Sequence, residues 1–203
     1  MRLGIFGGAF NPPHKGHKRL AETAREALGL DGIILIPSNI SPQKSDNGNI
    51  DPLHRIRMCE LTFSEPYYSV SDTEIKRGGR SYTFDTLCEL KTAHPEAEFT
   101  LIMGSDMFLW FEHWYRFREI ADMCRLCTVP RDYDEEYDVL HEYCLRLFGS
   151  TDNVDIINTE PYVISSTAIR SLIGSGGDTS EYLEPAVSDY IIGNKLYGYE
   201  NIQ

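Results

Sequence analysis

The sequence predicts an α/β fold, a doubly wound parallel sheet with helices on both faces. Three observations carry that expectation. Short apolar runs alternate with longer helical segments along nearly the whole chain, the order that a parallel sheet requires. The opening run ends in a glycine pair and leads into a helix start, and open α/β sheets bind ligands at such strand ends. At 203 residues the chain can bury one sizeable core. A single domain over 1–203 is therefore expected, with its last helices beginning from about residue 160.

The elements follow in order. Leu3 to Phe6 reads as a buried strand, Lys15 to Leu28 as a helix and Gly32 to Pro37 as a strand. Ser38 to Asp51 is a polar loop whose Gly, Asn and Ser content suits a mobile segment, and whether it closes on a substrate is left open. Pro52 fits a first helical position, where a missing N–H is no loss, and that helix runs to about Phe63. Tyr67 to Val70 is a strand, followed by a polar link containing Gly78 and Gly79. Thr83 to Thr92 is helical, with Phe84, Leu87 and Leu90 near helical spacing, and Phe99 to Met103 is a strand. Later, Trp114 to Asp122 reads as helix, Cys124 to Val129 as extended chain and Glu135 to Phe148 as helix. Val154 to Ile157 is a short strand, and helices over Ser166 to Ile173 and Ala186 to Lys195 complete the order.

Charge and composition exclude several classes. A formal net charge of −12 argues against broad nucleic-acid binding, which needs a basic surface. An anionic substrate must then be held by local donors, not by the overall field. The acidic run from Asp132 to Asp138 reads as a solvated face leading into a helix. No apolar run is long enough for a bilayer, and the opening segment reads as a strand and not as a signal peptide, so a cytoplasmic protein is expected. The five cysteines are odd in number and scattered, which speaks against a disulfide framework. Cys124 and Cys127 have the spacing of a metal pair, but no second pair follows, and buried free thiols with no metal site are expected.

The chemistry concentrates at the two ends of the chain. Gly7-Gly8-Ala9-Phe10-Asn11-Pro12-Pro13-His14-Lys15-Gly16-His17 joins a strand to a helix start. Glycine lets backbone approach a ligand, a helix start offers unpaired N–H groups, and two imidazoles three residues apart can face one phosphate tail. The segment lacks the third glycine of a dinucleotide fingerprint and the Gly-Lys-Ser/Thr of a Walker loop. Near the other end, Ile164-Ser165-Ser166-Thr167-Ala168-Ile169-Arg170 is a helix start with Ser165 or Ser166 as N-cap and Arg170 one turn in. Between them, Asp106 follows a strand and is either a ribose ligand or a helix cap. Trp114 offers a stacking face or a core side chain, and Ser81-Tyr82-Thr83 is a carboxylate-binding helix start or a plain one.

His14-Lys15-Gly16-His17 and the ISSTxIR segment together resemble the paired motifs of the nucleotidyltransferase superfamily, and hence its Rossmann-like nucleotidylyltransferase fold. With Ile36-Pro37-Ser38-Asn39, the loop ending Pro42-Gln43-Lys44, His54-Arg55 and Gly104-x-Asp106 before Trp114, the chain is similar to bacterial nicotinate-nucleotide adenylyltransferases from Gly4 to about Tyr197. The resemblance implies transfer of AMP from ATP, with Mg²⁺, to nicotinate mononucleotide in NAD biosynthesis. It implies catalytic roles for His14, His17, Lys44 and Arg170. ATP contacts fall to Gly7, Gly8, Ala9, Phe10, Gly16, Gly104, Asp106, Ile164, Ser165 and Ser166, and mononucleotide contacts to Asn39, Ser81, Tyr82, Thr83 and Trp114. Small-molecule partners are implied, with no nucleic acid or membrane, and a homo-oligomer is left open.

Two departures from the family pattern stand out. Gln43-Lys44 replaces the usual His-Lys or His-Arg, leaving the phosphate role to Lys44. Pro130-Arg131-Asp132 replaces Arg-Pro-Gly, so the resemblance gives Arg131 no firm role on the adenine side. The rival readings are a phosphopantetheine-type adenylyltransferase, a cytidylyltransferase, and a nucleotide-sensing module without turnover. The full set of His14, His17, Lys44 and Arg170 speaks for turnover, since binding alone would not need all four.

Overall fold

In a computed structural model, the structure describes residues 1–41, 50–130, 133–157 and 164–201, apart from the side chains of 133–135 and 200–201. Lys44 and Arg131 lie outside the described residues. Six parallel strands lie in the order β3-β2-β1-β4-β5-β6. They are β1 (Arg2–Gly8), β2 (Gly32–Pro37), β3 (Tyr68–Val70), β4 (Glu98–Gly104), β5 (Arg125–Val129) and β6 (Val154–Ile156). The order reverses between β1 and β4, the position where doubly wound sheets bind ligands. β1 pairs with β2 as far as Gly8↔Pro37, but with β4 only as far as Ile5↔Leu101. Beyond that point the two central strands part, and a crevice opens at their carboxyl ends.

Helices cover both faces. On one face Leu3, Ile5, Leu101 and Met103 pack against α4 (Thr83–Ala93), α6 (Phe117–Met123) and α7 (Tyr133–Phe148). On the other, Phe6, Ile33, Leu35 and Ile102 meet α1 (Lys15–Leu28) and α2 (Pro52–Thr62). The central strand needs Gly4 here, since a Cβ would lie 2.8 Å from Ile102 Cδ1 and 3.0 Å from Leu30 and Ile33 atoms. A third cluster, Met58, Ile169, Ile173, Leu183, Val187 and Ile191, welds α2 to α8 (Ser166–Gly174) and α9 (Pro185–Gly193). That third cluster carries the late ISSTxIR segment back to the opening loop.

The expected order of strands and helices holds, with α1 and β2 at the predicted bounds. His14 caps the start of α1, and Gly29 ends it in a left-handed conformation at φ 57°. Three short pieces differ. The link after β3 contains α3 (Thr73–Arg77), a single turn too short to show periodicity and closed by Gly78 at φ 71°. β4 runs directly into α5 (Ser105–Phe108). The helix expected from Trp114 begins only at Phe117, because Arg116 is left-handed at φ 57° and interrupts it; before it lies a 3₁₀ turn, Phe111–His113. Cys124 packs into the core on one sheet face and Cys127 on the other, so the two cannot share a metal. Burial raises the Cys124 thiol to about 12 and the Cys127 thiol further still. Among the described residues no helix is long and apolar enough to cross a membrane.

Candidate active site

The two histidines form a reciprocal cap on α1. The His17 backbone N–H donates to His14 Nδ1 at 3.4 Å, and the His14 N–H donates to His17 Nδ1 at 3.2 Å. Serine and glutamate usually supply such a box; here two imidazoles do. Each Nδ1 is thereby an acceptor, which puts the proton of the neutral ring on Nε2. The rings lie 3.7 Å apart and 35° from parallel. Two ring N–H donors are thus fixed at one helix start.

Surroundings hold His17 in that state. Its ring meets the Phe10 edge at 5.1 Å and Phe6 at 6.1 Å. Burial, followed by the neighbouring His14, lowers its pKa well below the ordinary histidine value. A histidine in the unfolded chain titrates near 6.5. Between the folded and unfolded values the unfolded chain binds the extra proton, so stability falls as pH drops from about 6.5 towards the folded value. The slope approaches about 1.4 kcal/mol per pH unit. Urea unfolding from pH 7 to 5 should show His17→Asn losing less stability than wild type. Parallel curves would refute burial of a neutral His17.

The loop before the histidines is tied down from three directions. Arg55 Nη1 of α2 donates to the Ala9 carbonyl at 2.8 Å. Arg170 Nη1 of α8 donates to the Asn11 carbonyl at 2.8 Å, and Ser166 Oγ to the Pro12 carbonyl at 2.9 Å. Tyr197 donates its hydroxyl to Asn11 Oδ1 at 2.6 Å, and burial pushes its pKa upward. The Asn11-Pro12 peptide is cis, and Phe10 sits at φ 46° with its ring only 1 % exposed. The opening loop and the start of α8 therefore lie side by side, as the paired motifs imply.

Details within this cluster refine the expectations. Ser165, not Ser166, caps α8, accepting from the Ala168 N–H at 3.2 Å. Arg170 also reaches Thr167 Oγ1 at 3.1 Å, so its fork is partly engaged within the protein. A Cβ on Gly8 would stand 3.2 Å from the Phe10 ring, so internal packing also favours glycine there. On Gly7 a Cβ would meet only Ile36 O, at 4.0 Å; this glycine leaves open space at the strand end. Gly16 lies in the first turn of α1, and Ile164 directly precedes the Ser165 cap.

Across the crevice, Gly104 ends β4 and Asp106 is exposed, with Oδ1 accepting from the Met107 N–H at 2.9 Å. That contact is local, within the first turn of α5, and the residue stands at the surface. The Asn39 N–H donates to Ser81 Oγ at 2.8 Å and its side-chain amide to Gly79 O at 2.9 Å, joining the end of β2 to the Ser81-Tyr82-Thr83 turn. Beneath that turn, burial raises the pKa of Glu74, and Thr86 donates to it at 2.7 Å. Tyr82 caps α4 without a side-chain hydrogen bond, so the first N–H groups of α4 lack such a cap. Trp114 is half-buried on Phe111, at 5.4 Å between ring centroids, and its buried indole N–H has no partner.

Sequence reasoning gave no role to Arg55, apart from its place in the resemblance, or to Tyr197. A signal for Arg55 existed. With Met58, Cys59 and Thr62 it falls at i, i+3, i+4 and i+7 on the buried face of α2, an odd place for a cation. Nothing local marks Tyr197, which comes 186 positions after Asn11.

Comparisons with known proteins place the chain in a family. The family described as Cytidylyltransferase-like matches residues 5–172. A curated chain of Geobacter metallireducens named "Probable nicotinate-nucleotide adenylyltransferase" is 35% identical over 98% of this chain and 100% of its own. A chain of the same name from Prosthecochloris aestuarii is 36% identical, covering 97% and 98%. The solved nicotinic acid mononucleotide adenylyltransferase of Plasmodium falciparum, complexed with NaAD, superposes with a TM-score of 0.78 at 19% identity, covering 98% of each chain. Overlap of this extent makes the chain a member of the nicotinate-nucleotide adenylyltransferase family.

Proposed function

We propose that the protein transfers AMP from ATP to nicotinate mononucleotide, forming deamido-NAD (nicotinate adenine dinucleotide) and pyrophosphate in NAD biosynthesis. The observation that carries this reading is the pair of imidazoles, each with its Nδ1 facing a backbone N–H, clamped beside the start of α8 at the sheet's switch point. A phosphate oxygen of the mononucleotide attacks the α-phosphorus of ATP as the bond to the β-phosphate oxygen breaks. The attacker is already an oxyanion, so alignment and charge stabilisation do the chemistry. His14 and His17 donate to the ATP phosphates, strengthening as charge moves onto the departing pyrophosphate. Lys44 and Arg170 add positive charge, and Ser165 and Ser166 bring the N–H groups of α8 to the same tail.

Mg²⁺ enters on ATP, as part of the substrate. The donors at the loop are imidazole N–H and backbone N–H groups, which suit phosphate oxygens and do not ligate a cation. Gly7, Gly8, Ala9, Phe10, Gly16, Ile164 and Gly104 let backbone approach the nucleotide, and the exposed Asp106 takes the ribose hydroxyls. On the mononucleotide side, the Tyr82 and Thr83 N–H groups receive the nicotinate carboxylate, held in place by Asn39 and Ser81. Trp114 supplies a ring face, and Trp114→Ala should raise KM for the mononucleotide while leaving kcat within a few-fold. An unchanged KM would reduce Trp114 to core packing. The reading places the enzyme in the cytoplasm.

Pyrophosphate release tests the assignment. With MgATP, nicotinate mononucleotide should support turnover well above nicotinamide mononucleotide, phosphopantetheine or no acceptor. Turnover confined to phosphopantetheine would select the rival adenylyltransferase. ATP binding without pyrophosphate would select the sensing module.

A further inference from the structure

Arg55 is an unusual buried cation. It is fully buried on α2, between the sheet and the C-terminal helices. Its Nη1 donates to Ala9 O at 2.8 Å, while its Nε has no partner. Among the described residues no carboxylate lies within ion-pair distance of it, and burial lowers its pKa. Burying an unpaired guanidinium is unfavourable, and a methionine or leucine could fill the same volume without that penalty. Packing alone gives no reason for a cation here.

Backbone geometry supplies one. In a planar trans peptide the carbonyl and the following N–H point in opposite directions. Holding the Ala9 carbonyl towards α2 therefore turns the Phe10 N–H away from α2. Phe10 lies just past the end of β1, where β1 and β4 separate. Its left-handed backbone, uncommon outside glycine, is locked by a ring packed against Phe6, Phe63 and His17. No acceptor for the Phe10 N–H exists among the described residues. Peptide orientation, strand splay and ring packing all converge on this one N–H.

We propose that Arg55 is a positioning residue: by gripping the Ala9 carbonyl from behind, it presents the Phe10 N–H to a phosphate oxygen of ATP. Its buried charge lies beneath the same loop, where salt screens little. This inference rests on the adenylyl-transfer reading, and it adds a donor that no side chain supplies.

Arg55→Met and Arg55→Lys test it beside wild type. In Arg55→Met, kcat/KM for ATP and the affinity for pyrophosphate should both fall about 10- to 100-fold, the range for losing a hydrogen bond to a charged group. KM for the mononucleotide should stay within about twofold, because that substrate lies across the crevice. Arg55→Lys keeps a charged donor and should fall between the two. In ¹⁵N-labelled wild type, pyrophosphate should shift the Phe10 amide proton downfield. Three results would each overturn the proposal: a folded variant with wild-type ATP kinetics, equal losses for both substrates, or a Phe10 amide unmoved by bound pyrophosphate. If Arg55→Met does not fold, Arg55→Lys and the Phe10 amide still decide. Wild type that releases no pyrophosphate would instead sink the functional reading itself.

Discussion

His17→Ala should lower kcat by roughly two to three powers of ten while the protein remains folded. The size follows from removing one preorganised donor, which typically raises a barrier by about 2.7–4 kcal/mol. His17 fits that description closely: its Nδ1 is spent on the His14 N–H, its ring is walled by Phe6 and Phe10, and its Nε2–H is the remaining donor. The substitution also removes half of the cap on α1. Losing a cap typically costs about 0.5–2 kcal/mol, against a domain stability of about 5–15 kcal/mol. Circular dichroism should therefore report a folded protein beside a nearly silent active site. His17→Asn keeps a side-chain N–H near the same place and should recover part of the rate. Turnover within about threefold of wild type in His17→Ala would remove the donor role.

Arg170→Met should lower kcat/KM for ATP about 100-fold, with KM for the mononucleotide little changed. Two losses combine. One, on the proposed reading, is the guanidinium charge offered to the ATP tail. The other is the hydrogen bond to the Asn11 carbonyl, which joins α8 to the turn leading into His14. Hydrogen bonds to charged groups contribute about 1.5–3 kcal/mol each, so the clamp alone accounts for a factor of about 10 to 150. Arg170→Lys should lose less charge but most of the fork, and should fall between the extremes. Initial rates with each substrate varied in turn distinguish the outcomes. Equal damage to both substrates would mean that Arg170 only supports the fold.

Much of this was legible in the sequence for local reasons. α1 and β2 lie at their expected bounds because His14 and Gly29 punctuate the helix, and Gly32 to Pro37 is an unbroken buried run. The His-x-Gly-His spacing likewise displays its chemistry locally. Other features needed three dimensions. Arg170 was read as a phosphate fork, yet it also holds the turn before His14, a contact spanning 159 positions. Gly8 reads as room for nucleotide, and its missing side chain also makes room for Phe10. The single turns Thr73–Arg77 and Ser105–Phe108 are too brief for any periodic signal. Trp114 keeps both of its readings, since it is half-buried on Phe111 and its indole N–H is left unpaired.

Nitrogen NMR of the two imidazoles, with and without an unreactive ATP analogue and Mg²⁺, probes the central claim most directly. His17 should be neutral at pH 7 with its proton on Nε2, and the Nε2–H signals of both rings should move when the analogue binds. A charged His17 at pH 7, protons on Nδ1, or rings indifferent to the analogue would contradict the account.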